Sequence, residues 1–316
     1  IVDVERKDGS VDLTPLFVGS QGTLGIVSEV IMKAIEVARE TLVGAIAFAS
    51  HDSARDGLDA LRELRLTSLE LIDGRLFEAA LAEGKRYPFY AGARDQGDVA
   101  AVVVFEVDDH SGRAKKHIAK KIAKLFASDD SVTVAIEKAG EAAEALRALR
   151  YVTALTVGAH KSDDSTPPIL DGAYIPPERF EDFVKATAGL ETKYHVQLPL
   201  YGHAGQSIYY ARPLFDFAKV SERQKLFKLL NDWSLAVTAH GGHVAAEAAE
   251  GRVKAAFAYR DLDDELQKLI EAIRGVFDPQ GTLNTGVKQA LDLKTIAGAL
   301  RTSYNGSDFA EYGARN

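Results

Sequence analysis

The chain has 316 residues, 46% of them hydrophobic and 27% charged, with a formal net charge of -8. That length suits one large domain or two modest ones with their own cores, and the acidic balance argues against a nucleic acid or an anionic membrane as partner. There is no cysteine, which excludes disulfides, iron–sulfur clusters, thiolate zinc sites and cysteine-linked prosthetic groups, and no apolar run approaches the roughly 20 residues that span a bilayer.

In chain order, residues 1–34 read as β structure around a glycine-rich turn, L-F-V-G-S-Q-G-T-L-G-I-V-S at 16–28. Gly19, Gly22 and Gly25 stand three residues apart. Glycine permits positive φ and removes the Cβ that would hold a ligand away, and successive N–H groups in such a turn can form an anion-binding concavity. The spacing is neither the G-x-G-x-x-G that opens a dinucleotide-binding helix nor a phosphate loop ending in Gly-Lys-Ser/Thr, and residues 26–31 read as a strand. On the glycines alone, an ordinary tight turn is the alternative.

Residues 43–48 form an apolar strand pattern, and 52–65 a helix with Leu58, Leu61 and Leu64 as its stripe. Residues 101–107, A-V-V-V-F-E-V, have the composition of a buried strand. The basic stretch 113–126 reads as a helix with Ile118, Ile122, Leu125 and Phe126 inward and its lysines solvated. A strand at 132–137, a helix at 140–156 broken off by Pro167-Pro168, a strand at 169–175 and a helix at 178–189 follow. Residues 195–210 read as two strands around a glycine-rich corner. The amphipathic helices 221–240 and 262–277 close the pattern, the first presenting Leu226, Leu229, Leu230, Trp233 and Val237 on one face. Strands and helices interleave without regular βα alternation, the order of an α+β fold.

Two segments carry a resemblance. Residues 12–29, D-L-T-P-L-F-V-G-S-Q-G-T-L-G-I-V-S-E, and 277–288, F-D-P-Q-G-T-L-N-T-G-V-K, resemble in order and spacing two segments of the FAD-linked oxidases of the vanillyl-alcohol-oxidase (PCMH) type. The branch is that of glycolate oxidase, D-lactate dehydrogenase and D-2-hydroxyglutarate dehydrogenase. The family usually has Glu where Gln21 stands and Pro where Thr285 stands. The resemblance implies the end of a PCMH-type FAD-binding domain (1–38), then a cap domain built on an antiparallel sheet with helices on one face (39–272). A return segment to the flavin (273–290) and a tail (291–316) would follow. It implies FAD as cofactor, held by Gly19, Ser20, Gln21, Gly22, Thr23, Leu24, Gly25, Ile26 and Asn284. Because the chain begins at Ile1 inside that domain, the resemblance also implies a missing N-terminal half of the flavin domain as partner. A cytoplasmic location, a small hydroxy-acid substrate and an unidentified electron acceptor complete the expectation.

In this branch a metal held by two histidines and a glutamate binds the carboxylate and hydroxyl of a 2-hydroxy acid, and a neighbouring histidine removes the hydroxyl proton. An alcohol proton is not acidic near neutral pH, so its removal calls for a Lewis acid and a base of matched pKa. The family motif G-H-x-G-D-G-N-x-H aligns with G-H-A-G-Q-S-I-Y-Y at 202–210; His203 is kept and Tyr210 stands at the second histidine. The motif G-G-x-x-x-G-E-H-G-x-G aligns with G-G-H-V-A-A-E-A-A-E-G at 241–251; Glu247 is kept and Ala248 stands at the base. The resemblance therefore implies His203 and Glu247 as catalytic residues and as the remnant of a divalent-metal site. It implies Arg150 as the arginine for the substrate carboxylate, with Arg147 as second candidate. Two functional readings stay open. One is hydride transfer from a small hydroxy acid to FAD, with the site rebuilt and His240 or His243 recruited. The other is a degenerate, non-catalytic subunit or binding module of a flavoprotein complex.

Overall fold

The apolar runs of the sequence pair into one antiparallel sheet. The computed structural model describes residues 4–36, 40–109, 111–153, 164–165, 169–216, 218–260, 262–289 and 292–299. Its strands are β1 (Leu42–Phe48), β2 (Ser68–Asp73), β3 (Ala101–Val107), β4 (Val132–Glu137), β5 (Asp164–Ser165), β6 (Leu170–Tyr174), β7 (Leu200–His203), β8 (Ile208–Ala211) and β9 (Phe215–Asp216). Seven of them form the sheet in the order β4-β1-β3-β2-β7-β8-β6, and β5 pairs with β9 apart from it. The register sets Leu42 opposite Val107 and Phe48 opposite Ala101. β2 joins the two halves, with Leu71 opposite Gly202 and Ile72 opposite Tyr201.

Side chains alternate across a strand, and here the alternation divides β1 between two cores. Leu42, Ile46 and Phe48 face the main helical layer, to which His51–Arg62, Gly112–Phe126, Phe180–Tyr194 and Val220–Ala239 contribute. The expected stripe Leu226, Leu229, Leu230, Trp233 and Val237 is buried there, and Trp233 meets Phe183 edge-on at 5.2 Å, which locks the last two helices together. Val43, Ala45 and Ala47 face the short helices Gly74–Ala82, Pro88–Arg94 and Glu141–Ala148. The main layer thus lies on one face, as expected, and the shorter helices add cover at the β1–β3 end of the other face. Around β7 and β8 the residues of that second face, Tyr201, His203, Tyr210 and Arg212, stay partly accessible. Ser50, Ser111 and Asp263 cap the starts of their helices through the N–H groups of Ser53, Ala114 and Leu266.

Gly44 is required by packing. A Cβ placed there would stand 2.1 Å from the ring of Phe105, its cross-strand partner. Gly44→Ala is expected to lower stability by about 1–3 kcal/mol, read as a lower urea midpoint at unchanged slope.

Several elements depart from the sequence reading. Residues 26–31 are extended but unpaired among the described residues, with Ile26 90% and Ile31 94% exposed. A strand exists only where a neighbour takes its N–H and C=O groups, and no described segment lies alongside. The helix expected at 178–189 runs Phe180–Tyr194 and ends where His195 turns left-handed at φ 52°. The helix expected at 140–156 is Glu141–Ala148 followed by a single 3₁₀ turn, Leu149–Tyr151, which carries Arg150. Pro167, Pro168 and the tail beyond residue 299 lie outside the described residues. No helix among the described residues is long and apolar enough to cross a membrane.

Candidate active site

β2, β7 and β8 lie side by side, and the two-residue period sets Glu70, Ile72, Tyr201, His203, Tyr210 and Arg212 on one face. The β7–β8 corner fixes their register. A Cβ on Gly202 would stand 2.1 Å from the Ile208 carbonyl oxygen. Ser207 takes a left-handed φ of 59° to complete the turn. Arg62 donates to the Ala204 carbonyl through Nε and Nη2, both at 3.2 Å, and to the Tyr209 hydroxyl at 3.0 Å, tying the corner to the helix below it.

His203 sits between two carboxylates. Its Nδ1 is 2.7 Å from Glu70 Oε2, and its Nε2 is 3.3 Å from Glu247 Oε2. Glu70 is 10% exposed at its side chain and also receives Arg150 Nη2 at 3.0 Å. The Tyr210 ring stands edge-on to the imidazole at 5.7 Å, and its hydroxyl donates to Glu247. Burial and the Glu247 carboxylate push the Tyr210 phenol well above its ordinary range, so it stays protonated at neutral pH and acts as a donor. Burial likewise raises the Tyr201 phenol, which stacks on Tyr210 at 5.1 Å. Two adjoining cavities meet at this cluster. One of about 530 Å³ is lined by Glu70, Arg150, Tyr201, His203, Tyr210 and Arg212 among others; one of about 640 Å³ shares Glu70, Arg150 and His203 and adds Glu247.

Glu247 is carried by a loop that is moored rather than helical. Tyr174 and His243 exchange backbone hydrogen bonds at 2.8 and 3.1 Å, and Ala246 N–H donates to the Gly172 carbonyl at 2.9 Å. Gly172, at φ +66°, leaves no room for a Cβ, which would stand 2.6 Å from Ala248 N. Lys254, 4% exposed at its side chain, bonds Asp171 Oδ1 at 2.9 Å and faces the carbonyl oxygens of Asp171, Val244 and Ala248. The recruited histidines of the sequence reading do not join the cluster. His240 Nδ1 bonds the Ala236 carbonyl and its ring meets Phe183, while His243 Nδ1 accepts from Ala245 N–H.

The glycine turn is assembled by contacts distant in sequence. Gln21, at φ 55°, donates from its side chain to Glu250 Oε2 at 3.0 Å and accepts from Gly251 N–H at 3.1 Å. Asn284 donates to the Gln21 carbonyl, and Phe17 meets Phe277 edge-on at 5.4 Å. Within the turn, Thr23 bonds the Ser20 carbonyl through both N–H and Oγ1. Burial raises the Glu250 carboxyl, but the Lys288 ammonium and further hydrogen bonds outweigh it and hold it below the usual range. The turn, residues 250–251 and the segment 284–288 therefore converge, three residues past Glu247. Glu70, Tyr201 and Arg212 are the site residues that sequence reasoning missed. The acid between two leucines in S-L-E-L-I-D at 68–73 was the one available signal.

The donor set fits a metal poorly. His203 Nε2 and the Glu247 carboxylate are two ligands, short of the three that catalytic zinc sites keep. The third position holds a protonated phenol already bonded to Glu247. No cluster of three His, Cys, Asp or Glu suited to an ion occurs among the described residues.

Comparison with known proteins agrees with this architecture. The profile of the family "FAD linked oxidases, C-terminal domain" matches residues 38–287. Glycolate oxidase subunit GlcD of Bacillus subtilis (strain 168) is 26% identical over 291 residues, covering 90% of this chain and 58% of that protein. D-2-hydroxyglutarate dehydrogenase of Escherichia coli (strain K12) is 23% identical, covering 87% and 28%. D-lactate dehydrogenase of Archaeoglobus fulgidus is 26% identical, covering 89% and 59%. The chain thus spans less than two thirds of each of these relatives. Among solved structures, 4-ethylphenol oxidase from Gulosibacter chungangensis superposes with a TM-score of 0.62 at 14% identity, covering 84% of this chain and 56% of that one. p-Cresol methylhydroxylase superposes at 0.60 with 13% identity, covering 80% and 53%; both share the fold. The chain belongs to the FAD-linked oxidases and carries their C-terminal domain.

Proposed function

We propose that this chain supplies the substrate side of an FAD-dependent oxidoreductase that oxidises the CH–OH group of a small 2-hydroxy acid. The observation that carries the reading is the Glu70–His203 pair, open to a cavity with arginines in its wall and joined through residues 247–251 to the glycine turn. The turn suits a pyrophosphate. Nothing lies within 4 Å of a Cβ built on Gly19. The N–H groups of Gly22, Leu24, Gly25 and Ile26 have no hydrogen-bond partner among the described residues. Such free donors in a turn of positive φ are what an anion-binding concavity needs. Ser20, Gln21, Thr23 and Asn284 would shape that cradle, and a flavin-binding half supplied from outside this chain would complete it. When bound there, FAD would supply the hydride acceptor, with a separate electron acceptor as its partner.

This chain's own residues manage the proton. Glu70 accepts from His203 Nδ1–H, which orients the ring and sets Nε2 beside Glu247 in the cavity wall. His203 Nε2 takes the hydroxyl proton, and Glu247 beside it stabilises the imidazolium. Tyr210 holds Glu247 in place by donating to it. Ala248 has no group that could take the proton, so the base's role falls to His203.

The test uses FAD-loaded protein comprising this chain and its flavin-binding half, mixed anaerobically with glycolate, D-lactate or D-2-hydroxyglutarate. At least one acid is expected to bleach the visible flavin band, before and after dialysis against a chelator. If no acid bleaches it, the degenerate, non-catalytic reading takes over; if the chelator abolishes bleaching, the metal-free assignment of His203 fails.

A further inference from the structure

We propose that Arg212 binds the carboxylate of the substrate acid, the role the sequence reading gave to Arg150. The inference rests on the cavity taking a 2-hydroxy acid and names the group that would hold its charge.

Three arginines line the cavity, and their partners differ. Arg147 is flanked by Glu106 at 3.6 Å and Glu144, and also bonds Thr41. Arg150 is paired with Glu70 at 3.0 Å. Arg212 faces no carboxylate within ion-pair distance among the described residues. Its Nε donates to the Tyr201 hydroxyl at 2.6 Å, and its Nη1 and Nη2 have no partner among those residues. Asp171, on β6 beside β8, is taken up by Lys254. A partly buried guanidinium in a cavity wall, opposed only by a neutral phenol, is an anion site, and its two Nη groups form the fork that matches a carboxylate.

The surroundings prepare that fork. Tyr210 and Arg212 are two residues apart and share a face. Tyr201 lies opposite Tyr210 in the β7–β8 register and stacks on it with ring planes 14° apart. The stacked Tyr201 hydroxyl pins Nε, so the guanidinium is oriented before an acid arrives. Arg150 is placed otherwise. To serve as anchor it would have to leave Glu70, and Glu70 is the group that orients His203. Arg150 therefore balances Glu70, and Arg212 receives the substrate.

Titration calorimetry of the FAD-loaded protein with glyoxylate, pyruvate and 2-oxoglutarate tests the assignment, because these 2-oxo acids carry the carboxylate but no hydride to transfer. Arg212→Gln is expected to weaken binding roughly 10- to 100-fold. Arg212→Lys keeps the charge without the fork and is expected to fall between it and the parent, which reads the site even if the glutamine variant folds poorly. Arg150→Gln is expected to weaken binding less than Arg212→Gln. Parent-like affinity in both Arg212 variants, or a larger loss in Arg150→Gln, overturns the assignment and leaves the hydroxy-acid reading standing. Absence of binding by the parent protein overturns both.

Discussion

Replacing His203 by glutamine is expected to lower the rate of flavin reduction by the hydroxy acid roughly 10²- to 10⁴-fold, the usual contribution of a positioned general base. Glutamine can still hydrogen-bond Glu70 or Glu247, so the loss isolates proton transfer from the arrangement of the pocket. The affinity for a 2-oxo acid is expected to change little, because the proposed reaction has His203 act on the hydroxyl proton and holds the carboxylate elsewhere. Glu70→Gln is expected to fall between the parent and His203→Gln, since it weakens the orientation of the imidazole without removing it. Rapid-mixing kinetics under anaerobic conditions separate these cases. Parent-like reduction by His203→Gln means that another group takes the proton.

Replacing Lys254 by methionine is expected to destabilise the fold by about 3 kcal/mol, the lower end of the range for breaking a buried ion pair. The Lys254 side chain is 4% exposed and that of its partner Asp171 15%, so removal leaves a largely buried carboxylate without its cation. It also strips a donor from a site that faces the carbonyl oxygens of Val244 and Ala248, which flank Glu247. The damage therefore reaches the loop that carries Glu247 as well as the fold. A second change, Asp171→Asn, is expected to restore part of the stability by removing the orphaned charge, and the two changes should be strongly non-additive. Urea denaturation of the single and double variants reads both. A loss below about 1 kcal/mol in Lys254→Met would show that the pair is solvated and does not moor the loop.

The residues that were legible in the sequence are those whose signal is local. The apolar runs at 43–48 and 101–107 became strands, and the stripe Leu226, Leu229, Leu230, Trp233 and Val237 became a buried helix face, because periodicity alone decides which side of such an element faces the core. His203 and Glu247 stood in recognisable motifs, and the fold brings them within 3.3 Å. Glu70 was hidden because an acid in a short strand gives no sign of which strand lies beside it; the pairing to β7, more than 130 residues away, makes it a partner of His203. Arg212 was hidden for a similar reason, since only the β7–β8 corner brings it to Tyr201. Lys254 carries no local signal either, because Asp171 and the loop carbonyls surround it only in the fold. Gln21 stood out as a departure from the family's usual Glu, but its bridge to Glu250 and Gly251 is a tertiary fact. The strand expected at 26–31 failed in the opposite way: its residues are suited to a ladder, yet no described segment offers one.

The most direct test is a crystal structure of the FAD-loaded protein with glyoxylate bound. The account predicts the flavin ring between the turn at 19–25 and His203, the carboxylate of the acid on Arg212, and no metal ion between His203 and Glu247. A flavin seated away from that turn, or an ion ligated by His203 and Glu247, would contradict it.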